Sequence, residues 1–149
     1  GARPDRHDGE QMKHYTQDLP DGISLAVFNG DDLIFTSREK WLHPLFALEE
    51  FLATYTGPRD MLCAHDTAAG KAAAILMARL SIKRAHINLV SDLAKDVYEK
   101  HAITLSYERS IERLMCKTEQ LLSTMDDEET IYLLLKERAD RAKEGALHI

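Results

Sequence analysis

The apolar positions of this chain change period several times, and each change marks an element. Ile23–Phe28 alternates, the period of two that predicts a half-buried strand. Asn29-Gly30 follows, a strong short hairpin signal because both residues tolerate the positive φ of a tight turn, and Leu33–Thr36 is the returning strand. From Leu42 the period lengthens. Leu42, Leu45, Phe46, Leu48, Leu52 and Tyr55 fall at helical spacing, and Gly57-Pro58 ends that helix. The apolar run Met61–Ala64 predicts a buried strand. It leads through His65, Asp66, Thr67 and small residues into a helix from Gly70-Lys71 that is apolar on nearly every side. Ala85–Val90 is the next strand, with His86 and Asn88 on one face and Ala85, Ile87 and Leu89 on the other. Ser91-Asp92 can cap a helix to Lys100, and Ile103–Tyr107 is the last strand expected. The remainder reads as helical over Glu108–Leu122, broken near Ser123–Asp127, and helical again over Glu128–Lys143. In that final helix Ile131, Leu134, Leu135, Ala139 and Ala142 form one apolar stripe.

Strands alternating with helices after an initial hairpin predict a three-layer α/β/α fold with a mixed sheet. Residues 1–22 read as an extension or a short helix around Gln11–Gln17, residues 23–122 as the main domain, and residues 123–149 as a helical extension. A chain of 149 residues can bury a core without disulfides, and Cys63 and Cys116 do not suggest any. The net charge of −6 argues against a nucleic-acid partner, which calls for a basic stripe; Arg79, Lys83 and Arg84 are the local exception. No apolar run approaches the roughly 18 to 20 residues of a membrane span, and no signal peptide is visible, so a cytoplasmic domain is expected.

The order hairpin, helix, strand, helix, strand, helix, strand is the layout of the cytidine-deaminase-like fold. The stretches SLAVFNGDDLIFTS, HPLFALEEFL, AHDTAAGKAAAIL and KRAHINLVSDLAKDVYEKHAITLSY together resemble a small uncharacterised bacterial family assigned to that fold. The family's most recognisable motif is an Asp, a few small residues and Gly-Lys-Ala-Ala, matched by Asp66, Gly70, Lys71, Ala72 and Ala73. A Cys-Pro-x-Glu motif near the family's end is matched at Cys116 and Glu119, with Lys117 in place of the proline, a departure that lets a helix continue. Proteins of this fold commonly associate, so the resemblance implies a homo-oligomer.

Zinc deaminases place a His or Cys at one helix N-terminus, a Glu two residues later, and a Pro-Cys-x-x-Cys pair at the next strand–helix junction. Here the first slot falls near His43, position 45 is Leu, and the second slot holds Cys63 without a second cysteine. The shuttle and the cysteine pair are missing, and a zinc cofactor is not expected. A degenerate metal site from His43, Cys63, His65 and Asp66 is the residual alternative, at spacings that fit no standard template. A P-loop fails as well, because His65 stands at its first glycine and Ala72 at its hydroxyl position.

What remains is the corner itself. A strand feeding a helix N-terminus presents backbone N–H groups and a positive dipole end. Asp66, Thr67, Gly70 and Lys71 are therefore the expected ligand-binding residues, for a nucleotide or another phosphate-bearing small molecule. The structural alternative is that Gly70 permits tight packing and Lys71 pairs with a nearby carboxylate. Asp66 could cap the helix, orient Lys71 or act as a general base, and Thr67 could cap in its place. Were the protein an enzyme, Asp66 with Cys63 or His65 would carry a hydrolase or transferase reaction. A structural interaction protein is the third reading.

Overall fold

A computed structural model describes residues 14–147. Its sheet has five strands, β1 (Leu25–Asn29), β2 (Asp32–Ser37), β3 (Leu62–Ala69), β4 (Arg84–Ser91) and β5 (Thr104–Ile111), in the order β2-β1-β3-β4-β5. The hairpin pairs β1 with β2 antiparallel, and Asn29 opposes Asp32 across a two-residue loop in which Gly30 has φ +63°. That value is the left-handed conformation glycine adopts without cost. One extra residue between the Val27 and Phe28 pairings makes a bulge. β3 pairs antiparallel with β1 and parallel with β4, and β4 is parallel to β5, so the sheet is mixed.

Among the described residues five helices accompany it: α1 (His43–Ala53), α2 (Lys71–Arg79), α3 (Asp92–Lys100), α4 (Lys117–Leu122) and α5 (Glu128–Leu147). Side-chain alternation divides the sheet's two faces. Leu25, Val27, Leu62, Ala64, Ala85 and Ile87 join one core with Leu48 and Leu52 of α1, Ile75 and Met77 of α2, and Tyr98 of α3. Ala26, Cys63, His65 and His86 point to the other face, where a 3-10 turn, His14–Thr16, buries Tyr15 against the sheet. The mixed sheet with flanking helices agrees with the expected three-layer α/β/α class.

α2 sits at the centre of the helical layer. Ala72 through Met77 are all buried, and the run of alanines lets the helix lie close to its neighbours. α5 turns Ile131, Leu135 and Ala139 into the same core, so the apolar stripe is used within the chain. The basic end of α2 and the acidic start of α5 also meet: Arg79 bonds Glu129 at 2.6 Å and stacks over Tyr132.

Two boundaries differ from the sequence reading, both for the same physical reason. β3 does not stop at Ala64 but continues to Ala69, because its carboxyl end borders a cleft and therefore carries polar residues. The stretch expected to be helical from Glu108 instead extends β5 to Ile111, and helix resumes only at Lys117. β5 is an edge strand with one face in solvent, so charges interrupt its alternation and hide it. The short helix expected at Gln11–Gln17 is a 3-10 turn over its second half, and its first three residues lie outside the described ones.

Candidate functional site

The carboxyl end of β3 and the N-terminus of α2 open onto a cleft of about 350 Å³. Asp66, Thr67, Ala68 and Gly70 form its floor. Trp41, Leu42 and Pro44, before and within α1, make one wall; Leu114, Cys116, Thr118 and Glu119 make the opposite one. Trp41 adopts φ +58°, an uncommon conformation for a bulky residue, and its indole N–H donates to Thr118 Oγ1 at 3.2 Å. That bond ties the two walls together across the mouth.

Gly70 is the N-cap of α2, so neither Asp66 nor Thr67 caps the helix. The cap comes from outside. Glu119, 2% exposed, accepts a hydrogen bond from the Lys71 amide at 2.8 Å through Oε1 and from the Leu114 amide at 3.2 Å through Oε2. A carboxylate belonging to the chain therefore already occupies the positive end of α2. The glycine at position 70 serves this approach: a Cβ there would stand 2.6 Å from Glu119 Oε1 and 2.9 Å from Leu114 Cδ1. The requirement is space and not dihedral freedom, since φ is −102°.

Lys71 turns away from the cleft. Its ammonium donates to the Leu122 carbonyl at 3.0 Å and to the Met125 carbonyl, joining α2 to the turn between α4 and α5. A cation there matches the negative dipole end of α4. Lys71→Ala is expected to lower stability by about 1 to 2 kcal/mol in urea unfolding while leaving the cleft intact.

Asp66 is the group left facing the cleft. It is half-buried, with protein around the carboxyl on every side but the cleft. Burial pushes its pKa up to about 7 from 3.8, although the Ala68 and Thr67 amides donate to it and pull the other way. The phenol of Tyr98, whose own pKa is raised well above 10 chiefly by burial and also by Asp66, lies close enough to feel its charge. Near neutral pH this carboxyl can therefore donate or accept a proton.

The remaining candidates are dispersed. Cys63 and His65 project from the face of β3 opposite Asp66, because side chains alternate along a strand, so the three do not form one constellation. The Cys63 thiol contacts the Met61 carbonyl at 3.5 Å, and burial raises its pKa. His43, at the start of α1, stacks edge-on with Trp41 and stands apart from both. His65 instead meets His86 on the neighbouring strand, with ring centroids 4.8 Å apart.

The residues that sequence reasoning missed are Trp41, Leu114, Thr118 and Glu119. Glu119 was noted only as the match to the family's Cys-Pro-x-Glu motif, and a second signal for it was present. Cys116 and Glu119 have the spacing of a capping box, and the Cys116 sulfur does accept from the Glu119 amide at 3.5 Å. The Glu119 carboxylate reaches across to α2, which no local pattern encodes.

Comparison with known proteins places this geometry in a family. No curated protein matches the chain. A crystal structure of a DUF1893 family protein, TM1506 from Thermotoga maritima, aligns with a TM-score of 0.66 and 24% identity, over 77% of this chain and 80% of that one. At that identity the likeness concerns the fold alone. The family model described as "TM1506: Domain of unknown function (DUF1893)" matches residues 19–139, from the segment before β1 into α5. The chain belongs to the DUF1893 family.

Proposed function

We propose that the protein binds a small uncharged ring-bearing ligand, of the nucleobase or nucleoside class, in the cleft above Asp66, within a deaminase-like fold that lacks the zinc deaminase residues. The observation carrying this reading is the composition of the cleft. Trp41, Leu42, Pro44 and Leu114 supply apolar walls, while Asp66, Thr67 and Thr118 supply hydrogen-bonding groups at its base and side. A volume of about 350 Å³ suits a ligand of nucleoside size.

The same inventory narrows the expected phosphate-bearing ligand to its uncharged part. Among the described residues lining the cleft Lys40 is the one cation, set against the carboxyl groups of Glu39, Asp66 and Glu119. With the Lys71 ammonium bound to carbonyls and the Glu119 carboxylate on the Lys71 amide, a phosphate gains little at the corner. A thermal-shift series of base, nucleoside and nucleotide tests this. The base and nucleoside are expected to raise the melting temperature, with no further gain from the phosphate. A shift seen with the nucleotide alone, and lost in Lys71→Ala, would reverse the reading.

An enzyme acting by proton transfer at Asp66 is the second reading, favoured by the carboxyl's pKa near 7 beside the Cys116 thiol in one cleft. Turnover of a bound ligand that Asp66→Asn abolishes while retaining its binding would establish it.

A further inference from the structure

On the sheet face away from the cleft, β3, β4 and β5 bring three metal-ligating side chains together, and we propose that His65, His86 and Glu108 bind a divalent first-row transition-metal ion, zinc being the ion tested below. The strand register places them. His65 opposes His86 across β3 and β4, His86 opposes Ser106 across β4 and β5, and Glu108 lies two residues beyond Ser106 on the same face. One donor atom from each of the three comes within 4.8 Å of the other two.

The hydrogen bonds around the cluster prepare the rings for an ion. His65 Nε2 lies 2.7 Å from the Asn88 side-chain carbonyl oxygen, which can only accept, so Nε2 carries the proton and Nδ1 presents its lone pair. His65 is 1% exposed, and its Nδ1 is the buried side-chain polar atom that has no partner among the described residues. Leaving such an atom unpaired is costly, and a ligated ion removes that cost. His86 is oriented likewise: Nδ1 is 2.7 Å from Ser106 Oγ, which leaves Nε2 toward Glu108 Oε2 at 3.8 Å. That separation is too long for a hydrogen bond. It is close to the roughly 3.4 Å between neighbouring donors of a tetrahedral site with bonds of about 2.1 Å.

Asn88 thus occupies the outer position that fixes a ring tautomer in metal sites, and Ser106 orients the second ring. Two imidazoles and one carboxylate favour zinc and its neighbours over magnesium and calcium, which take oxygen donors. Glu108 stands on an edge strand with its side chain half exposed, so it can close onto an ion without disturbing the core. Asp18, in the N-terminal segment, is near enough for its charge to influence His86. Sequence spacing gave no hint of the cluster, because Glu108 read as helical and the histidines lie on separate strands.

The test is titration of the full chain, stripped by chelator and dialysed, with zinc in a calorimeter and with cobalt in the visible spectrum. One equivalent is expected to bind, and the cobalt form to show imidazole and carboxylate coordination without a thiolate charge-transfer band. Glu108→Gln is expected to weaken zinc binding at least about tenfold, and His86→Gln to abolish it. Asn88→Ala, which touches no ion, is expected to cost about 10- to 100-fold. Glu108→Gln changes an exposed residue and keeps the test meaningful should a histidine variant fold poorly. Absence of saturable binding, a thiolate band from nearby Cys63, or affinity unchanged in Glu108→Gln and Asn88→Ala would overturn the site.

Discussion

Glu119→Ala is expected to lower the stability of the protein by about 3 kcal/mol, the largest loss from any single polar side chain near the cleft. The carboxylate is buried, it holds amides in two segments, and it closes the N-terminus of the most buried helix. Removing it strands the Lys71 and Leu114 amides together and opens a gap beside Gly70. In a domain of this size the loss corresponds to a fall in melting temperature of roughly 6 to 12 °C. Gly70→Ala attacks the same contact from the other side and is expected to cost about 2 kcal/mol, since its Cβ would displace Glu119 or Leu114. The two losses are not additive. In the Glu119→Ala background the added methyl meets only Leu114, so a double-mutant cycle should show a coupling of about 1 kcal/mol. Additive losses would show that Glu119 does not bind the helix end as described.

The second large effect is pH-dependent and carries the opposite sign. The carboxyl of Asp66 has a pKa of about 7 in the fold, against 3.8 for an ordinary aspartate. Between those values the folded chain holds a proton that the unfolded chain has released, so raising the pH through this window removes stability. The loss is absent below about pH 4 and complete above about pH 8. Its upper limit is about 4 kcal/mol, and the open side toward the cleft reduces it to about 1 to 3 kcal/mol. Asp66→Asn keeps an oxygen to accept from the Thr67 and Ala68 amides but cannot ionise. It is expected to match the wild type near pH 4 and to exceed it by that amount at pH 8, in urea unfolding at both values. Equal stability at both would mean that Asp66 titrates as a solvent-exposed carboxyl.

Where side chains are sorted by periodicity, the sequence was a sufficient guide to the fold. The Asn29-Gly30 hairpin, the helix from Leu42, the Ser91 cap bonding the Ala94 amide and the stripe of α5 all follow from local pattern. The family resemblance carried by Asp66 and the Gly-Lys-Ala-Ala run also held. Legibility ended where a side chain's partner is remote in sequence. Lys71 and Gly70 read as an anion corner because their own neighbours are small; the Glu119 carboxylate that fills it lies forty-eight residues away. Glu108 read as helical because a solvated edge strand lacks alternation, and with it the cluster around His65 and His86 went unseen. Asp66 was expected at the strand–helix corner, and its buried surroundings and the cleft beside it come from segments remote in sequence.

This corner presents a protonatable carboxyl and an apolar cleft, with a carboxylate of the chain already at its helix N-terminus. Amide NMR of the wild-type chain, titrated with inorganic phosphate and separately with a nucleoside, tests it most directly. Millimolar phosphate is expected to leave the Gly70 and Lys71 amides unmoved, while the nucleoside shifts the Thr67 amide and the Trp41 indole N–H along saturable curves. Saturable movement of the Gly70 and Lys71 amides with phosphate, and none of Thr67 or Trp41 with the nucleoside, would contradict it.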